Sequence, residues 1–171
     1  MNMKKLLITM ALAATTLVAG AATDNPFFHY KEWKTPHGTY PFNEIKAEHY
    51  MPAFEEAMKQ GLADIDAIVN NPAAPTFQNT IEAYEKSGEM LTIVAGCFYN
   101  LTSSETNEQL QQIEMELSPK LSDYSSTIRL NEGLFQRIKA VYDQRSQLKL
   151  NKEQQKLLDD IFDGFQRGGA C

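Results

Sequence analysis

Positive charge is scarce in this chain. Sixteen lysines and arginines face 22 aspartates and glutamates in 171 residues, a formal net charge of −6. With no basic cluster, that balance argues against nucleic acid or an anionic membrane as partner. Histidine is scarcer still. His29, His37 and His49 are the three, and no two are four apart on one helical face. An HExxH zinc motif is therefore missing, and its inverted form H-x-x-E-H fails because Ile45 stands where the first histidine is needed. Two cysteines, Cys97 and Cys171, make no disulfide framework. No G-x-S-x-G, Walker or Rossmann glycine pattern occurs. No stretch alternates in the manner of a half-buried strand.

The N-terminus carries a secretory leader pattern. Lys4 and Lys5 precede an apolar run from Leu6 to Val18, and Ala19-Gly20-Ala21 fits a small-residue cleavage site. The run is too short to span a bilayer. Residues 1–21 are thus expected to be a signal peptide and the product to be exported, to the periplasm, with no membrane contact after cleavage. Losing Lys4 and Lys5 would take the net charge from −6 to −8.

Next comes TDNPFFHYKEWKTPHGTYPF, aromatic and rich in proline, without helical or alternating period. Residues 22–45 read as an extended arm whose rings need a surface to cover. From about residue 46 to 171 the pattern is helical. Met51, Phe54, Met58, Leu62, Ile65 and Val69 recur at steps of four and three. Pro52 restricts the start of that helix to Lys46–Glu48, and NNPAAP ends it. Thr76 with Asn79 is an N-cap signal, as are Asn107, Asn131 and Asn151. Gly88 reads as a helix stop, and Pro119 as a kink or division, with Ser118 capping a second half. The expectation is an all-α chain of five to seven helices. The last helix is still amphipathic at Phe165 before RGGAC, so the arm and this helix are expected to leave apolar surface uncovered.

PFNEIKAEHYMPAFEEAM holds His49 among four glutamates, and a helix would put only Glu56 on its face, two turns away. His49 reads as a capping or packing residue. Glu48 suits the helix dipole in the first turn, Glu55 is spaced to pair with Lys59, and Glu44 belongs to the approach. Cys97, within IVAGCFYNL, reads as a small core residue with a raised pKa. The sequon Asn100-Leu101-Thr102 falls mid-helix, and Ser103, Ser104 and Thr106 read as a capped loop. No catalytic, cofactor-binding or metal-ligating set can be assembled from these residues.

The order and spacing of the segments NPFF, TPHGTYPFNEIKAEHYMPAFEEAMKQ, NNPAAPTFQNTIEAYEKSGEML, CFYNLTSSETNEQLQQIEMELSPKLS, LFQRIKAVYDQR and FQRGGA resemble the N-terminal part of zinc peptidases. The family is that of peptidyl-dipeptidases, oligopeptidase A and thimet oligopeptidase, and the likeness is nearest to the bacterial peptidyl-dipeptidases. It runs from about Asn25 to Ala170. It implies the helical N-terminal lobe of a larger two-lobed metallopeptidase acting on short oligopeptides and releasing C-terminal dipeptides. It also implies a catalytic zinc whose ligands lie in a C-terminal part absent from these 171 residues. The chain is then expected to line a substrate channel and to be inactive alone. The alternative is a free-standing exported helical module that binds peptides or proteins.

Overall fold

The computed structural model describes residues 25–104 and 107–169. The signal-peptide expectation for residues 1–21 falls outside them, as do Thr106 and Cys171. Six α-helices follow one another: α1 Ala47–Val69, α2 Ala83–Lys86, α3 Glu89–Ser104, α4 Glu108–Arg129, α5 Glu132–Asp143 and α6 Lys152–Arg167. No strand occurs among the described residues. The class is all-α, as the periodicity predicts.

The caps explain the helix starts. Thr76 Oγ1 accepts from Asn79 N–H (3.1 Å) while Asn79 Oδ1 accepts from Thr76 N–H (2.8 Å). Asn107, Asn131 and Asn151 each accept from the N–H three residues on, at 2.9 Å. Each satisfies an end-group donor that the helix cannot. The Thr76 cap opens a π-helical segment, Phe77–Glu82, that runs directly into α2. Gly88 stops the chain between α2 and α3 with φ at +69°.

α1 is the spine, because its two ends serve different cores. Tyr50, Phe54, Ala57 and Met58 pack with Met90, Val94, Cys97 and Phe98 of α3 and with Leu110, Ile113 and Leu117 of α4. Ile65 and Ile68 pack instead with Phe77 and Ile81, with Leu134, Phe135, Ile138 and Val141 of α5, and with Leu158, Ile161, Phe162 and Phe165 of α6. Where the cores meet, Tyr124 of α4 aims its hydroxyl at Gly61 of α1. A Cβ there would lie 2.2 Å from that oxygen.

Three expectations need correction. The arm does not stay extended. It coils into 3₁₀ turns at Pro26–Glu32 and Pro36–Gly38, and turns back where His37 and Gly38 take φ of 58° and 68°. Such short coils carry no period that a sequence could display. Pro119 does not divide a helix, since α4 runs through it. Pro119 and Met115 both lie on the exposed side, so the carbonyl that loses its partner can turn to water. The arm and the last helix are also not left bare. Phe27 is fully buried in the first core, and Leu158, Ile161, Phe162 and Phe165 are buried in the second. The large apolar side chains that stay exposed are Phe42, Tyr99, Met115 and Leu130.

Candidate functional site

His49 caps α1. Its Nδ1 accepts from Lys46 N–H at 3.0 Å, and the residue is 7% exposed. One ring nitrogen is therefore committed to the backbone. The same turn anchors the arm. Asn25, fully buried, donates from Nδ2 to the His49 carbonyl (2.8 Å) and accepts from Phe27 N–H (3.1 Å). Both polar ends of its side chain are satisfied, as a buried amide requires.

The nearby glutamates are structural. Glu55 pairs with Lys120 of α4 rather than with Lys59, so it ties two helices together. Lys59 pairs with Glu56 at 3.2 Å, and Gln60 donates to the same carboxylate. These contacts hold the Glu56 carboxyl below its usual pKa. Glu48 lies 3.8 Å from the Lys46 ammonium. Glu44 lines a shallow hollow of about 510 Å³ with His29, Glu32 and Trp33. No ion pair joins these residues among the described ones.

Cys97 is fully buried, with Sγ 3.4 Å from the Tyr50 hydroxyl. Burial pushes the thiol pKa up, and burial with the Cys97 contact pushes the Tyr50 phenol up further. Both groups stay neutral, and neither is a nucleophile in this setting. Asn100 lies inside α3 and donates to the Gly96 carbonyl at 2.7 Å. Ser103 and Ser104 hydrogen-bond carbonyls one turn back, at Tyr99 and Asn100, and so finish α3 rather than form a site.

Arg137 is a residue that sequence reasoning passed over. From α5 it donates to the carbonyls of Asn71 (2.9 Å) and Ala73 (3.2 Å) and to Asn79 Oδ1 (3.3 Å). It fastens the NNPAAP loop across the second core. No spacing announces it, because its partners are backbone atoms more than sixty positions away.

The larger concavity is a groove of about 590 Å³ between α2, α4 and α6. Tyr84, Tyr124, Leu157, Ile161 and Phe165 give it apolar walls, and Arg129 and Asp160 lie at its edge. Zinc has no place among the described residues. No three histidine, cysteine or acidic side chains gather there as a metal site requires, and His49 is engaged in its cap. No described helix is long and apolar enough to cross a membrane. The arrangement can present helical surfaces and a groove, and it holds no nucleophile paired with a base.

No protein-family model matches the chain. Among curated proteins it is 42% identical over 135 residues to a dipeptidyl carboxypeptidase of Salmonella typhimurium, covering 79% of this chain and 20% of the relative. It is 40% identical over 150 residues to the dipeptidyl carboxypeptidase of Escherichia coli, covering 86% of this chain and 21% of the relative. Oligopeptidase A of Salmonella typhimurium is more distant, at 26% over 129 residues, covering 75% of this chain and 19% of the relative. The chain spans about a fifth of the length of the relatives it matches.

Proposed function

We propose, for a chain that belongs by its matched residues with the dipeptidyl carboxypeptidases, that it forms the N-terminal helical lobe of an exported zinc peptidase. The whole enzyme would hydrolyse short oligopeptides and release C-terminal dipeptides. This chain would contribute channel wall, and the zinc ligands would come from the C-terminal catalytic part of the same polypeptide. One observation carries this reading: 42% identity over 79% of the chain joined to coverage of only 20% of the relative. That combination supports a lobe better than it supports a complete enzyme. The residues described offer no metal site of their own, so no catalytic step is assigned to them.

A second reading has one observation in its favour. The arm and the last helix are both covered from within the chain. That suits a free-standing helical module as well as a lobe.

The deciding experiment joins chemistry to genetics. The purified chain should cleave no oligopeptide, with or without added zinc, and the coding DNA beyond Cys171 should contain an HExxH codon run. Zinc-dependent cleavage by the chain alone would overturn the proposal. A stop codon with no such motif downstream would favour the binding module.

A further inference from the structure

Glycine inside a helix is a poor helix former, so its presence calls for a close neighbour or a special backbone angle. Four helical glycines here have such a neighbour within the chain. A Cβ on Gly61 would meet the Tyr124 hydroxyl at 2.2 Å, and one on Gly96 would meet the Tyr40 hydroxyl at 2.4 Å. A Cβ on Gly133 would meet Val69 at 2.8 Å, and beyond the end of α6 one on Gly168 would meet Arg129 at 2.3 Å. Gly38, Gly88 and Gly169 take positive φ. Gly164 has neither reason. It lies inside α6, and a Cβ there would find nothing within 4 Å.

Gly164 also lines the groove between α2, α4 and α6, one turn from Ile161 and two from Leu157. Arg129, at the same groove, forms no ion pair among the described residues, although the chain as a whole is acidic. Bare backbone, apolar walls and an unpaired cation together make a seat for a closely approaching segment. The relatives are about five times the length matched here, so a large body of polypeptide accompanies this fold in them.

We infer that this groove, floored by Gly164 and edged by Arg129, is the docking seat for a helix from the rest of the peptidase polypeptide, with an acidic side chain of that helix meeting Arg129. The inference rests on the lobe reading above and adds to it where the contact is made.

The test compares Gly164→Leu in two settings. One is the full chain alone. The other is a chimera in which this chain replaces the stretch it matches in the Escherichia coli relative. Alone, the substitution should leave the melting temperature unchanged or raise it by about 2 °C, because a better helix former enters open space. In the chimera it should lower peptide cleavage about tenfold or more, the size expected of an overpacked close contact. A chimera that tolerates Gly164→Leu as well as the isolated chain does would overturn the groove inference and leave the lobe reading intact. Loss of stability in the isolated chain would also overturn it, since the glycine would then serve an internal contact. A wild-type chimera that neither folds nor cleaves would overturn both proposals.

Discussion

In the first core the aromatic rings meet edge to face, while in the second they stack. Phe98 stands at 68° to Tyr50 and 87° to Phe54, whereas Tyr142 lies 3.8 Å from Phe162 at 8°. The polar groups differ too. The first core encloses Asn25, His49 and the Tyr50–Cys97 pair, and draws in an arm that is not α-helical. The second is closed mainly by the π-helical segment, α5 and α6, with Arg137 and Arg145 working from its surface. The first core is therefore a junction whose parts must be brought together by specific polar pins. The second is a helical hairpin laid on the end of α1. Shape and burial alone suffice for the second, and positioned hydrogen bonds are required for the first.

The largest expected effect breaks the first core at the arm. Phe27 is fully buried against Tyr50 and Trp33, so Phe27→Ala should cost about 3–5 kcal/mol. The Cys97 thiol supplies the readout. In a Cys171→Ser background it should resist a thiol reagent in the native chain and react readily in the variant, while amide exchange in α5 and α6 stays slow. Equal loss of protection in both cores would show that they open as one unit.

Asn25→Ala tests the polar pin without removing a ring. It leaves the His49 carbonyl and the Phe27 N–H short of a partner inside the protein, which should cost about 1–3 kcal/mol in denaturant unfolding. A cost near zero would mean that water replaces the amide and the pin does not matter. On the second core, Arg145 lies 3.9 Å over the Tyr142 ring at an exposed edge. Arg145→Ala should cost only about 0.5–1 kcal/mol, as an outer cover and not a pin. A larger loss would make the two cores more alike than their geometry indicates.

How much of this could be read beforehand differs between the cores in the same way. The second was legible. Asn131 and Asn151 announce their helices, and Leu158, Ile161, Phe162 and Phe165 fall on one face at helical spacing. What stayed hidden was the π-helical turn after Thr76, because a capping pair looks the same whichever ladder follows it. The first core was half legible. The α1 stripe and the role of Cys97 followed from spacing and context. The 3₁₀ coils of the arm did not, since their order comes from Asn25, Phe27 and Trp33 finding distant partners. Glu55 shows the same limit. Its spacing points to Lys59, but the packing of α4 brings Lys120 within reach. The groove was illegible too, because nothing local separates Gly164 from the glycines that have neighbours.

The smallest expected effect tests whether the arm is held at its outer end as well as at Asn25. Glu89, in the first turn of α3, accepts from the Tyr30 hydroxyl at 2.9 Å and lies 3.2 Å from the Lys31 ammonium. These contacts, the tyrosine first, hold its carboxyl below the ordinary pKa, while Lys31 is raised chiefly by the same carboxylate. The sign for Glu89 follows from the lowered folded value. Its contribution is present above the unfolded carboxyl pKa and is lost as pH falls through the folded one. For Lys31, with a raised folded value, the contribution is lost as pH rises into the lysine range. All three groups are largely exposed, so the change should be slight in global stability and visible mainly in the arm. Trp33, the single tryptophan, donates its indole N–H to the Pro26 carbonyl at 3.0 Å and can report it by fluorescence. Acidification should shift that signal before the helices unfold, and Glu89→Gln should remove the acid step. If the acid step persists in Glu89→Gln, the outer contact does not hold the arm, and the first core depends on the Asn25 and Phe27 pins alone.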